Sequence, residues 1–252
     1  MSTLTWLGQF GFAIDVDGQR TLLDPWLTDH VDRTRRPLDA RVYATGVHTI
    51  LVSHEHEDHF DRDFVRLAAE TSPDLRLVLP REIAQEAREL IGPEQVLPAA
   101  PGEVHELGVL RVEPVRADHM MTGTKPEPGC LGYVVQLPGG PSIYHSGDCI
   151  VTDAVLAGLE GKHVDIALLP INGRDYFREG RDLVGNMTAR EAVEFAQWMG
   201  AQFLVPSHWD ADTGNTERPG TVPDYAWEID SPVHTLVMAC GRPLPLDGLG
   251  SR

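Results

Sequence analysis

The chain has 252 residues, 42% of them hydrophobic, and a formal net charge of −17 at pH 7. This length and apolar content suffice for a substantial core and fit one sandwich-like or barrel-like domain, so a single domain over residues 1–252 is expected. The acidity argues against a nucleic-acid-binding groove, and no apolar stretch in the sequence is long enough for a membrane span.

The N-terminus and the cysteines bear on where the protein works. Residues 1–6 contain no basic segment followed by an apolar run, so no secretory signal is expected. Cys130, Cys149 and Cys240 are few and odd in number, which does not suit a disulfide framework. Both observations predict a cytoplasmic protein.

The first part of the chain alternates apolar and polar residues as strands do. Asp17-Gly18 has the composition of a tight hairpin turn between two of these strands. Residues 29–45 are charged and interrupted by proline, so they are predicted to form a long loop. The predicted strands of this part are 4–7, 12–16, 21–23 and 49–52.

Strands and helices are mixed along the rest of the chain. Residues 81–91 form the clearest helix, with apolar residues on one face and a stop at Gly92. Thr188 and Glu191 form a capping box that opens a helix ending near Gly200. The other predicted elements are helices over 62–70 and 152–159, and strands over 75–79, 109–115, 131–137, 142–145, 164–169, 203–206 and 235–239.

The order of these elements indicates the fold class. Strands that suit antiparallel pairing come first, and later strands are mixed with helices. This order suits two sheets packed face to face, with one layer of helices on each side. A doubly wound fold would alternate strand and helix from the start. We therefore predict an α/β (α+β) protein with a four-layer αββα sandwich architecture.

A cluster of histidines directly follows the apolar strand at 49–52. His54, His56, Asp58 and His59 lie within six residues of one another. Imidazole and carboxylate groups bind zinc, manganese or iron, and so many of them together have no good structural role without a cation. The run therefore predicts a metal site rather than a structural histidine cluster.

Further candidate ligands follow other predicted strands. Asp24, His119, Asp148 and His208 each come within a few residues of the end of a strand. A sandwich can bring such strand ends to one edge, where side chains from distant parts of the chain meet. These positions predict additional ligands for the same site.

Together these residues resemble the metallo-β-lactamase fold superfamily, whose signature is His-x-His-x-Asp-His followed by a later histidine, an aspartate and a final histidine. The resemblance covers nearly the whole chain, from Trp6-Leu7-Gly8-Gln9 onwards. It implies a hydrolase with two divalent metal ions, manganese, zinc or iron, which activate a water molecule. The implied ligands are His54, His56 and His119 for one ion, Asp58, His59 and His208 for the other, and Asp148 as the bridge, with Asp58 or Asp148 relaying the proton.

Residues beside these ligands leave alternatives open. Asp24 either orients a ligand imidazole, as the resemblance implies, or is a turn-forming aspartate before proline. His145 either supports the site or is a hydrogen-bonded core histidine. Cys149 is expected to be a small buried apolar residue rather than a thiolate ligand. Structural roles are expected for the remaining histidines, His30, His48, His105, His163 and His234.

A closer resemblance links the chain to the L-ascorbate-6-phosphate lactonase group of that superfamily. The segments that carry it are 170–176, 184–188, 206–210 and 215–219. The sequence departs from that group at Cys149, Ser207 and Trp209, beside the ligands. The resemblance implies hydrolysis of a phosphosugar lactone or a similar ester. A phosphodiesterase acting on a small nucleotide or lipid is the alternative enzyme. A non-catalytic metal-binding module is the alternative class, but no ligand of the signature is lost.

Candidate substrate-binding residues lie in the same segments. Arg174 is expected to bind an anionic group, because a guanidinium recognises phosphate or carboxylate through paired hydrogen bonds. Tyr176 and Asn186 are expected either to contact substrate or to cap the helix at Thr188. Surface positions are expected for Lys125, Arg178 and Arg181. The expected partner is a small anionic substrate, and the resemblance also implies a homo-oligomer; nucleic acid and membranes are not expected.

Overall fold

The computed structural model describes residues 1–31, 33–119, 129–180, 185–210 and 214–250. Within them the chain forms two seven-stranded sheets flanked by helices. The strands are β1 (Ser2–Gly8), β2 (Gly11–Val16), β3 (Gln19–Leu23), β4 (Val47–Leu51), β5 (Arg76–Pro80), β6 (Val96–Ala99), β7 (His105–Leu107), β8 (Leu110–Arg116), β9 (Leu131–Gln136), β10 (Ser142–His145), β11 (Ile166–Pro170), β12 (Phe203–Ser207), β13 (His234–Thr235) and β14 (Pro243–Pro245). The helices are α1 (Ala40–Ala44), α2 (Arg62–Thr71), α3 (Ala84–Ile91), α4 (Asp153–Leu159), α5 (Tyr176–Glu179), α6 (Ala189–Trp198) and α7 (Thr221–Glu228). No helix of the described ranges has the length and apolar character needed to cross a bilayer.

The first sheet starts as an antiparallel hairpin and continues with parallel strands. β1, β2 and β3 pair antiparallel. Asp17 and Gly18 both have positive φ angles, 50° and 82°, in the turn between β2 and β3, and such turns match the twist of the flanking strands. The predicted hairpin is therefore confirmed. β4, β5 and β6 add in parallel beyond β3, with α1, α2 and α3 as the connections, and β14 pairs with the free side of β1.

The second sheet has the same mixed character. β7, β8, β9 and β10 pair antiparallel, whereas β10, β11, β12 and β13 pair in parallel. The helices α4, α6 and α7 lie in the connections between the parallel strands. Each of these strands consequently has a helix layer on one face and the first sheet on the other.

Three apolar layers show how the elements are stacked. In β11, Ile166 and Leu168 pack between the two sheets, whereas Ala167 and Leu169 face the helices α4, α6 and α7. This burial of both faces explains why the strand has no polar alternation. In β2, Phe12 packs between the sheets and Ala13 faces α2 and α3. The order is thus helix, sheet, sheet, helix, and the predicted four-layer αββα sandwich is confirmed.

Two predicted segments differ from the structure. The predicted loop 29–45 contains the helix α1, which begins where the Asp39 side chain accepts a hydrogen bond from Arg41 N. The predicted extent of the last strand, 235–239, is wrong, because β13 ends at Thr235. Leu236 N still donates to Leu204 O of β12 at 2.8 Å. Leu236 and Met238 cover the core between the sheets, and the chain then crosses to pair β14 with β1.

The strand directions bring one end of both sheets to a common edge. β3 and β4 run parallel in the first sheet, and β8, β10 and β12 point the same way in the second. The segments that follow these strands contain the candidate ligands of the sequence analysis. The fold therefore gathers residues from the whole length of the chain at this edge.

Candidate metal centre

The residues predicted as ligands meet at this edge. Their ligand atoms form three overlapping groups, and within each group these atoms lie within 4.8 Å of one another. The groups are His54, His56 and His119; His54, His59 and Asp148; and Asp58, His59 and His208. The first is called the His119 group below, and the third is called the His208 group.

The His119 group consists of three imidazoles packed against one another. His54 Nε2 lies 2.9 Å from His56 Nδ1, and the His119 ring centroid lies 5.2 Å from each of the other two. Burial, helped by neighbouring imidazoles, holds the pKa of His54 well below 6.5 and lowers the pKa of His119 to about 4. These two rings are therefore neutral at pH 7, which is the form that binds a metal ion.

The His208 group places imidazoles against carboxylates. His208 Nε2 lies 3.3 Å from Asp58 Oδ2 and 3.3 Å from Asp148 Oδ2. Burial favours the neutral rings, but the carboxylates, with Asp148 foremost, outweigh it. They raise the pKa of His208 to about 9 and the pKa of His59 well above 6.5. In the metal-free protein this group is therefore held together by imidazolium–carboxylate pairs.

Asp148 lies between the two groups. Its Oδ1 is 3.3 Å from His59 Nε2, and its Oδ2 is 3.7 Å from His119 Nε2. A carboxylate has two oxygens that can each accept a bond, so one side chain can serve two neighbouring cations. Asp148 therefore contacts potential ligands of both groups.

Unpartnered buried atoms test whether a cation fits here. His119 Nδ1 and His119 Nε2 are buried and have no hydrogen-bond partner among the described residues, and the ion pair between His59 Nε2 and Asp148 Oδ1 lacks the geometry of a hydrogen bond. Such atoms are rare in folded proteins, and leaving them unpaired costs free energy. Imidazole nitrogen and carboxylate oxygen are ligands of divalent zinc, manganese and iron. The clusters are therefore able to bind metal.

Asp24 contacts His59 at the ring nitrogen that faces away from the centre. Its Oδ1 accepts a hydrogen bond from Ser53 N at 2.7 Å, and its Oδ2 accepts one from Ser53 Oγ at 2.6 Å. The same Oδ2 lies 2.7 Å from His59 Nδ1. A proton on Nδ1 is then donated to Asp24, and Nε2 is left facing the centre. Of the two interpretations of Asp24, the structure supports orientation of a ligand imidazole.

His145 supports the turn that contains Asp148. Its Nδ1 accepts a hydrogen bond from Gly147 N at 3.3 Å, and its Nε2 is 3.1 Å from the carbonyl oxygen of Phe10. Burial lowers the pKa of His145, so the ring is neutral, with Nε2 as its donor. Its position combines both interpretations, since it is a hydrogen-bonded core histidine that also contacts the turn leading to Asp148.

Cys149 is a buried thiol beside Asp148. Burial raises its pKa to about 12, and its Sγ donates to the carbonyl oxygen of Ile150 at 3.1 Å. The thiolate form is therefore negligible at neutral pH, in agreement with the expected role as a small buried residue. Within the described ranges, the metal-binding groups include none of the histidines expected to be structural, His30, His48, His105, His163 and His234.

The predicted substrate residues lie in the segments 172–180 and 185–188, and Met187 N donates a hydrogen bond to the carbonyl oxygen of Cys149, next to Asp148, at 3.0 Å. Arg174 pairs with both carboxylate oxygens of Glu191 at 2.8 and 2.6 Å and also donates to Asn186 O. Asn186 is buried, and its Nδ2 donates to Asn172 Oδ1 at 3.0 Å. Tyr176 is 82% exposed at the start of α5. Neither Tyr176 nor Asn186 caps α6, because Glu191 itself closes the capping box. Lys125 and Arg181 lie outside the described residues.

Sequence reasoning missed two polar residues that contact the ligands. Ser53 Oγ lies 2.9 Å from His54 Nδ1, and Gln9 Nε2 donates to Asp58 Oδ2 at 2.8 Å. Both are buried polar residues at the ends of apolar strands. A polar residue at the end of an apolar strand could have indicated a contact with the ligands. Residue type alone could not, because hydroxyl and amide groups are common in turns.

Residues 19–209 match the family model of the beta-lactamase superfamily domain. The chain belongs to this superfamily. It is also 30% identical over 209 residues to a UPF0173 metal-dependent hydrolase of Pyrobaculum aerophilum, with 82% of this chain and 84% of that protein covered. The predicted superfamily and the predicted class, a metal-dependent hydrolase, are thereby confirmed. The assignment to the ascorbate-6-phosphate lactonase group stays a prediction.

Two solved structures share the fold. Igni18, a metallo hydrolase from Ignicoccus hospitalis, has a TM-score of 0.72 at 20% identity, over 96% of this chain and 97% of its own. Isothiocyanate hydrolase from Delia radicum gut bacteria has a TM-score of 0.76 at 15% identity, over 96% and 98%. At these identities the likeness shows the αββα architecture alone.

Metal affinity of this superfamily member is expected to rise with pH. In the metal-free protein the pKa of His208 is about 9, above its ordinary 6.5, so an incoming cation must displace a proton. Affinity at the His208 group should increase about tenfold per pH unit for each displaced proton between pH 6.5 and 9 and then level off. By the same linkage, the stabilisation that this proton gives the metal-free protein is present below pH 6.5 and is lost as pH rises through 9.

Competition with a chelator of known affinity, repeated across this pH range, measures the effect. Proton release on metal binding, followed with a pH indicator in weak buffer, gives the number of protons directly. An affinity that stays constant between pH 6.5 and 9 would contradict the prediction.

Proposed function

We propose that this metal-dependent hydrolase opens a lactone or a similar ester, with phosphosugar lactones as the favoured substrates. The observation that carries the proposal is the position of Asp148 between the His119 and His208 groups, which suits two cations side by side. Acyl hydrolysis needs a nucleophile that attacks the carbonyl carbon and a positive charge that stabilises the carbonyl oxygen. The lactonase-like segments 170–176 and 184–188 favour the sugar lactone within this class.

The side chains of the centre have different roles in the proposed reaction. Two bound divalent cations would supply a water molecule of lowered pKa and a Lewis acid for the carbonyl oxygen. His59 and His208 hold the pKa values of Asp58 and Asp148 well below the ordinary range despite burial. Bound cations would replace the imidazolium protons and keep both carboxylates ionised by their own positive charge. A carboxylate oxygen not bound to a cation could then take the proton of the attacking water and pass it to the departing alkoxide. Asp24 keeps the His59 ring in its orientation during this exchange.

We further propose a cytoplasmic protein that acts on a small anionic substrate and forms a homo-oligomer. The support for the location is the small, odd number of cysteines. The support for the substrate is Arg174 in the segment 170–176, and the support for the oligomer is the lactonase resemblance.

A substrate panel with and without a chelator tests the proposed reaction. The panel contains a phosphosugar lactone, a neutral lactone, bis(p-nitrophenyl) phosphate and an aryl isothiocyanate. Metal-dependent opening of a lactone, abolished by the chelator and restored by manganese or zinc, is expected. Phosphodiester hydrolysis without lactone opening would favour the alternative enzyme, and no activity in a metal-loaded protein would favour the binding module.

Arg174 gives a sharper test of the anionic substrate. Arg174→Ala should lower stability by about 1 kcal/mol, because the pair with Glu191 is one-third exposed. It should also raise KM for a phosphorylated lactone roughly tenfold through the lost charge-assisted hydrogen bond. Thermal unfolding and steady-state kinetics measure the two effects separately.

Glu191→Ala is the matched variant, since it breaks the same pair and leaves the guanidinium in place. It should reduce stability without raising KM. Equal increases in KM for both variants would show that Arg174 acts only as an anchor for α6.

A further inference from the structure

Gln9 connects the turn between β1 and β2 to His208 by hydrogen bonds. It lies between β1 and β2 with a φ of 48° and is 5% exposed. Its carbonyl oxygen accepts hydrogen bonds from His208 N at 3.0 Å and from Trp6 Nε1 at 3.1 Å. Its N–H donates to Asp210 Oδ1 at 2.8 Å. The backbone of Gln9 thus contacts His208 and the second residue beyond it.

The side chain of Gln9 reaches the ligand atoms themselves. Its Nε2 donates to Asp58 Oδ2 at 2.8 Å and lies 3.0 Å from His208 Nε2. The hydrogen bond goes to the Asp58 carboxylate, whereas the approach to His208 Nε2 is a packing contact, because an imidazolium nitrogen and an amide nitrogen are both donors. One residue therefore touches both Asp58, from the histidine run, and His208, from the far end of the fold.

The chemistry of an amide suits this position. The NH₂ group has no lone pair to offer a cation, so it can orient a carboxylate without competing for the metal. A lysine or arginine here would bring positive charge that repels a cation. The ligands His54 and His59 already have orienting partners, Ser53 and Asp24, whereas Gln9 is the neutral donor facing the Asp58 carboxylate.

We propose that Gln9 is the positioning residue of the His208 group: its amide orients Asp58 and its main chain fixes His208. The inference rests on the proposed metal-dependent function. Partners that orient metal ligands typically change metal affinity by about 10- to 100-fold when they are removed. Loss of the amide should therefore weaken the cation of the His208 group selectively and leave the His119 group unchanged.

Titration with Co²⁺ tests this, with absorption spectra to follow the ligand field and elemental analysis to count bound metal. The wild type should bind two equivalents. Gln9→Leu should retain one equivalent with the wild-type dissociation constant and bind the second about 10- to 100-fold more weakly. Gln9→Asn keeps the main-chain hydrogen bonds and tolerates a positive φ, but it is one carbon too short, so the same selective loss is expected.

Gln19→Leu is the matched control, because Gln19 Oε1 accepts a hydrogen bond from Val109 N away from the centre. It should bind both equivalents normally. Unfolding in the presence of a chelator shows whether each variant is folded. The inference is overturned if folded Gln9→Leu and Gln9→Asn bind both equivalents within twofold of the wild type, or lose both equally. A wild type that binds two equivalents but opens no ester contradicts the proposed function alone.

Discussion

Replacing Asp148 with asparagine should lower kcat/KM of the metal-loaded enzyme by about 10³-fold, the equivalent of about 4 kcal/mol. Asparagine keeps the shape of the side chain but removes the charge that lies within 3.3 Å of His59 Nε2 and His208 Nε2. The same change should reduce the bound metal from two equivalents to one or none, because a neutral amide oxygen is a poor bridge between cations. Steady-state kinetics and elemental analysis measure both effects.

Asp153→Asn is the control for this substitution. Asp153 is exposed at the start of α4 and lies only five residues further along the chain. It should leave metal content and activity unchanged. An Asp148→Asn protein that keeps two metal ions and more than a tenth of the wild-type kcat/KM would contradict the shared role of Asp148 and, with it, the dinuclear mechanism.

The parts of the fold that could be predicted are those with strong local signals. The alternation in β2 and the Asp17-Gly18 turn identify the hairpin, and the uniformly apolar β11 identifies a strand with two buried faces. Elements without such signals were missed. β6 contains Pro98, and α7 contains Pro223 within its first turns, so neither shows a clean period. Their formation depends on packing against neighbours that the sequence alone does not reveal.

The same distinction applies to the site. Histidine and aspartate at strand ends are rare enough to indicate ligands, and seven of these side chains lie in the three groups of potential ligands, whereas Asp24 lies behind them. The supporting contacts were not predictable, because they join residues that are far apart in the sequence and meet only in the folded chain. Gln9 meets His208 only because β1 and β12 end at the same edge. Arg174 meets Glu191 although the two lie 17 residues apart in the sequence.

Substituting alanine at Gly147 should destabilise the metal-free protein by roughly 2–5 kcal/mol, which is the sum of a left-handed backbone cost and a steric clash. Gly147 has a φ of 60°. A Cβ there would lie 2.6 Å from Ser53 Cβ and 2.8 Å from Leu131 O. Ser53 is held by Asp24 through its N–H and its hydroxyl, so it cannot yield without disturbing the site.

Gly139→Ala separates the two contributions. Gly139 has a φ of 62°, but a Cβ there would meet nothing within 4 Å, so only the backbone cost of about 1–2 kcal/mol is expected. Denaturant unfolding of both variants in the presence of a chelator therefore measures the clash as their difference. Because the clash acts on the turn that leads to Asp148, Gly147→Ala should also lose bound metal, whereas Gly139→Ala should not. Equal destabilisation of the two variants would show that this turn can move away from Ser53, and that the position of Asp148 does not depend on a glycine.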